Sequence, residues 1–136
     1  METVLAIDEY SDLVDALHTK LGCTEELTLD YIAVALEDIM VFDGKQHDYG
    51  SANIALSGDK GILVRVMDKM MRLRHLMLES DEAPKNESIE DSWADSSVYG
   101  VMARMWTRGL WPRLFGADVV VTAEQPESYS DNPVTG

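Results

Sequence analysis

The sequence predicts an all-α fold of about four main helices. Apolar residues recur at three- and four-residue intervals in four separate stretches, glycines stand where those stretches stop, and one stretch opens with a helix-capping pair. At 136 residues the chain is long enough for one hydrophobic core, so a single helical domain over residues 1–121 with a disordered tail over 122–136 is expected.

The first helix is expected over about Ile7–Leu21, where Leu13, Leu17 and Leu21 share one face and Gly22 is placed as a stop. The second follows Thr28, with Leu29, Ile32, Ala33, Leu36, Ile39 and Met40 keeping the period until Asp43 and Gly44 break it. Residues 44–58 carry three glycines and no sustained period, so they read as a long structured loop with at most one helical turn. A third helix runs from near Asp59 to about Leu78 on Ile62, Leu63, Val66, Met70, Leu73 and Met77. Residues 79–86 form an exposed connection, and Ser88 with Asp91 opens a fourth helix that Gly109 ends. Ile89, Trp93, Val98, Val101, Met102 and Met105 are its packing candidates. Residues 110–121 read as a short extended C-terminal arm, either a strand or a segment lying on a partner. The eight methionines lie largely on the last two helices, where flexible core filling accounts for them.

Charge narrows the partners. With 25 acids against 11 bases the net charge is −14, which repels a phosphate polymer and makes duplex DNA or RNA a poor partner. A small anion remains compatible, because five of the eleven bases (Lys60, Arg65, Lys69, Arg72 and Arg74) fall within fifteen residues of one helix. No apolar run is long enough for a membrane span, and the acidic N-terminus lacks the features of a signal peptide, so a cytoplasmic setting is expected. Cys23 stands alone, which excludes an internal disulfide and a cysteine-built zinc site.

Three groups of residues carry chemistry. On the third helix Arg65, Asp68, Lys69 and Arg72 stand at spacings that share a face, as an ion-pair ladder or as a phosphate-binding row. On the fourth, Glu87, Asp91 and Asp95 repeat at four-residue spacing, a stripe of like charges that calls for an opposing cation, either a base or a divalent metal. In the loop, Lys45, His47, Asp48 and Tyr49 gather a cation, a possible acid or base, a carboxylate and a stacking ring within five positions. There is no Walker-type phosphate loop, GxSxG elbow, HExxH or EF-hand pattern.

Taken in order, Lys45-x-x-Asp48-Tyr49-Gly50, then Gly61-Ile62 with Arg65-x-x-Asp68-Lys69-x-x-Arg72-Leu73, then Glu87-Ser88-x-x-Asp91-x-x-x-Asp95 with Tyr99 resembles the nucleotide modification associated domain family, helical proteins of phages and bacteria. The similarity spans roughly residues 28–108 and implies a phage-type setting linked to nucleotide metabolism or DNA base modification. More distantly the chain is similar to the MazG-like all-helical nucleoside triphosphate pyrophosphatases, in which carboxylates on neighbouring helices hold magnesium against a triphosphate. Glu87, Glu90, Asp91 and Asp95 look like half of such a cluster, and Glu37 and Asp38 are the candidates for more, although the paired ExxE motif on the earlier helix is missing.

The combined expectation is one pocket where loop 45–50, the basic face of the third helix and the acidic face of the fourth converge on a nucleotide. Lys45, His47, Asp48, Tyr49, Arg65, Asp68, Lys69 and Arg72 would contact the nucleotide and its phosphates, and Glu87, Asp91 and Asp95 would hold Mg2+. Magnesium-dependent phosphoanhydride hydrolysis is the leading reading; non-catalytic sequestration of a nucleotide signal and an acidic protein-interaction module are the alternatives. Trp106, Trp111 and Phe115, read as exposed, point to a homo-oligomer.

Overall fold

The computed structural model describes residues 7–113. Among them the fold is all-α, with no strand: α1 (Ile7–Lys20), α2 (Leu27–Tyr49), the single turn α3 (Ala52–Ala55), α4 (Gly58–Arg74) and α5 (Ile89–Thr107). No helix among them is long and apolar enough to cross a membrane. The chain falls into two compact units, Met1–Asp48 and Tyr49–Gly136. The expected arm beyond residue 113 and the tail over 122–136 lie outside the described residues.

In the first unit α1 stops where the sequence predicts. Gly22 takes φ +70°, its N–H donates to the Thr19 carbonyl (3.1 Å), and the Cys23 N–H reaches back to His18 (3.0 Å). This pair of reverse bonds satisfies the last carbonyls of the helix and requires a left-handed residue, which glycine adopts without a Cβ penalty. The core differs by one position from the expected face: Val14 is buried with Ile32 and Ala33, flanked by Leu17, Leu29 and Leu36, while Leu13 and Leu21 are exposed.

The expected loop over 44–58 is largely helical. Helix α2 runs through Gly44 to Tyr49, and it is Gly50, at φ +67°, that ends it. An interior glycine weakens a helix by only about 1 kcal/mol relative to alanine, and the helix continues past it from Lys45 to Tyr49. The one helical turn allowed for in this stretch is α3.

In the second unit α4 and α5 pack antiparallel. At one end Gly58 lies against Trp106, and at the other Arg72 reaches Ser88 and Ser92. Gly58 is required twice over: its φ is +65°, and a Cβ there would stand 2.9 Å from the Trp106 ring. Helix α4 continues as a π-helical turn over His75–Glu79, in which Glu79 is held by Arg74 and His75. Ser88 caps α5 as predicted, accepting from the Asp91 N–H at 3.0 Å, and Gly109 ends it with the same reverse-bonded geometry as Gly22.

Ile54, Ile62, Leu73, Val98, Met102 and Trp111 are the buried apolar residues of this unit. Two expectations about its surface fail. Trp111, expected to be exposed and available to a partner, is 2% exposed and donates from Nε1 to the Ser51 carbonyl at 3.1 Å, so its ring is buried within its own unit and its polar edge is satisfied. Trp106 is half-buried, with the Arg113 guanidinium 4.1 Å above its ring, and Phe115 lies outside the described residues. Of the three aromatic residues, Trp111 is therefore not available to a partner. Likewise Trp93 and Val101 on α5 are exposed, and Met67, Met70, Met71 and Met77 stand at the surface instead of filling the core. Having two apolar faces, α4 buries only the one toward α5.

Candidate functional site

The basic face of α4 and the acidic face of α5 do meet. Lys69, four residues after Arg65 and three before Arg72, places its Nζ 2.8 Å from Glu87 Oε1 and 2.9 Å from Asp95 Oδ2. Arg72 donates from Nη1 to Ser92 Oγ (2.6 Å), from Nη2 to the Glu87 carbonyl, and lies 3.4 Å from Glu87 Oε2. Ser92 completes the circuit by donating its hydroxyl to Glu87 Oε2 at 2.7 Å. Two cations, two carboxylates and one hydroxyl thus form a closed network across the helix pair.

Local sequence explains how the helices come close enough. Ser88, Ser92 and Ser96 repeat at four-residue spacing on α5, so one side of that helix carries only small side chains. Ser92 is fully buried, and Ser96 turns its hydroxyl back onto the Ser92 carbonyl at 2.8 Å. Ser92 was not among the residues that the sequence marks for chemistry. A serine is a poor choice for a helix interior, and this spacing opposite a basic helix is the signal that identifies it.

The network is partly buried: side-chain exposure is 13% for Asp95, 23% for Lys69, 28% for Arg72 and 30% for Glu87. Burial is the largest single influence on the Lys69 ammonium and pushes its pKa down. Hydrogen bonds and charge from Glu87 and Asp95 together outweigh it, so the pKa lies above its ordinary value and Lys69 is a firm cation at neutral pH. Among the described residues no buried side-chain polar atom lacks a hydrogen-bond partner.

The remaining predicted residues fall into two sets. Arg65, half-buried, and Asp68, exposed, form no ion pair among the described residues, so the expected Arg65–Asp68–Arg72 ladder does not form. Arg65 is therefore an uncommitted cation one turn from Lys69. Lys45, His47 and Asp48 stand on the final turns of α2 in the first unit and Tyr49 closes that helix; they are not a loop. His47 Nδ1 lies 3.2 Å from Asp48 Oδ1, and both side chains are largely exposed.

The metal expectation meets a specific obstacle. A magnesium ion needs several oxygen ligands around one point. Here the Lys69 ammonium already stands between Glu87 and Asp95, and the Asp91 side chain is exposed and outside the network. Among the described residues no three His, Cys, Asp or Glu side chains are grouped to hold a metal ion. The donor set does not fit magnesium in this arrangement.

Comparison of the chain with family models, with curated proteins and with solved structures finds no match.

Proposed function

We propose that the chain binds a nucleotide or a related small phosphate compound through α4 and holds it without hydrolysing it. The observation that carries this reading is the row Arg65, Lys69 and Arg72, three cations on successive turns of one helix in a chain of net charge −14, with Arg65 uncommitted and Lys69 and Arg72 already oriented. A few bases concentrated against an acidic background admit a small anion and repel a polymer. The resemblance to the nucleotide modification associated domain family supports a nucleotide as the anion. The engagement of Glu87 and Asp95 by Lys69 supports holding over magnesium-dependent hydrolysis, since the carboxylates serve to orient cations.

Titration calorimetry with a panel of ribo- and deoxynucleotides in excess EDTA tests this. The expected result is metal-independent binding, recovery of intact ligand after denaturation, and about tenfold weaker binding by Arg65→Ala, the loss of one charge-assisted contact. Phosphate or pyrophosphate release that requires magnesium would overturn holding. Absence of binding by every nucleotide would overturn the phosphate site itself.

A further inference from the structure

Resting on that phosphate-site reading, we infer that Glu87 is a built-in competitor for the site: its carboxylate occupies Lys69, Arg72 and Ser92 in place of a terminal phosphate and leaves when the ligand binds. The two acids of the network differ in how freely they can move. Asp95 lies within α5, two turns from its start, and is the less exposed of the two acids. Glu87 lies before the Ser88 cap, at the end of the connection that follows the π-helical turn, and is the most exposed member. Its backbone is nevertheless pinned, because Arg72 donates to both the Glu87 and Ser88 carbonyls. Side-chain rotation can therefore release the carboxylate while the α5 terminus stays in place.

The bonds Glu87 makes define what replaces it. Its two carboxylate oxygens accept from Lys69 Nζ at 2.8 and 2.9 Å, and Oε2 also accepts from Ser92 Oγ. Ser92 is fully buried, so after Glu87 leaves, its hydroxyl needs a new acceptor at the same place. A terminal phosphate meets both demands, with its non-bridging oxygens and up to two negative charges where the carboxylate brings one. Asp95 stays on Lys69 and keeps the ammonium aimed.

The test is the affinity of the full chain for inorganic pyrophosphate, measured by calorimetry at fixed ionic strength for wild type, Glu87→Gln, Glu87→Asp and Asp95→Asn. The expected result is about tenfold tighter binding by Glu87→Gln, which removes the competing charge and keeps the side-chain shape, and a smaller gain in Glu87→Asp, whose carboxylate is on a shorter arm. Asp95→Asn gives no comparable gain. Affinity in both Glu87 variants equal to or below that of wild type, with helical content unchanged, would overturn the competitor role while leaving the phosphate site standing. Failure of wild type and all variants to bind would remove the site and the competitor together.

Discussion

Two clusters stand out in this sequence, and the structure treats them in opposite ways. Lys45, His47, Asp48 and Tyr49 are neighbours in sequence, yet α2 carries them, and successive residues on a helix point about 100° apart. His47 contacts Asp48 in solvent, a pairing of adjacent residues. Lys69, Arg72, Glu87, Ser92 and Asp95 span 27 residues, yet they interlock in a partly buried network in which Lys69 bridges Glu87 and Asp95 and Glu87 meets Lys69, Arg72 and Ser92. Proximity in sequence predicts a site only when the backbone is irregular enough to turn neighbouring side chains the same way. On helices, the three- and four-residue spacings predict it.

The largest expected effect separates the clusters directly. Replacing Lys69 with methionine leaves Glu87 and Asp95 facing each other without their shared cation. Full burial of an ion pair broken this way would cost 3–5 kcal/mol, and the residual exposure here reduces that to about 2 kcal/mol. Denaturant unfolding of Lys69→Met reads this as a lower midpoint with unchanged slope. An unaltered midpoint would mean that the network contributes nothing to stability.

Ser92→Ala comes next. It removes the acceptor of Arg72 and a donor to Glu87 at a fully buried position, and a loss of about 1–2 kcal/mol is expected. Ser92→Gly would be worse, because it adds a helix-interior glycine to the same loss.

A smaller effect appears only at alkaline pH. Because the Lys69 pKa is raised in the folded chain, its stabilising contribution is complete below the ordinary value of 10.5 and is lost as pH rises through the folded value. The difference in unfolding free energy between wild type and Lys69→Met should stay constant from pH 7 to about 9 and shrink above 10.5. Shrinkage in the neutral range would contradict a Lys69 held charged by Glu87 and Asp95.

The smallest effect belongs to the other cluster: the pair His47→Ala and Asp48→Ala, at exposed positions with only a local contact, should leave the unfolding midpoint unchanged.

The same distinction explains what was legible in the sequence. Glycine stops at Gly22 and Gly109 and the Ser88 cap were readable because each depends on one residue's backbone or side-chain preference. Gly44 misled for the same reason, since an interior glycine and a terminating glycine look alike until Gly50 is seen to take the positive φ. The charged faces of α4 and α5 were readable from spacing. Which carboxylates pair with which bases was not, because that depends on the antiparallel register of the helices, and so Asp91 and Asp95, alike in sequence, end outside and inside the network. The burial of Trp111 is not legible in sequence, because it is a tertiary fact, sealed by a bond to Ser51 sixty residues away, about a segment with no period.

If α4 receives the ligand, its cations must respond to it. The most direct measurement is a titration of isotopically labelled chain with pyrophosphate, followed by the NMR signals of its lysine, arginine and histidine side chains. Shifts at Lys69, Arg72 and Arg65 are the predicted result. Shifts confined to Lys45 and His47, or none at all, would contradict it.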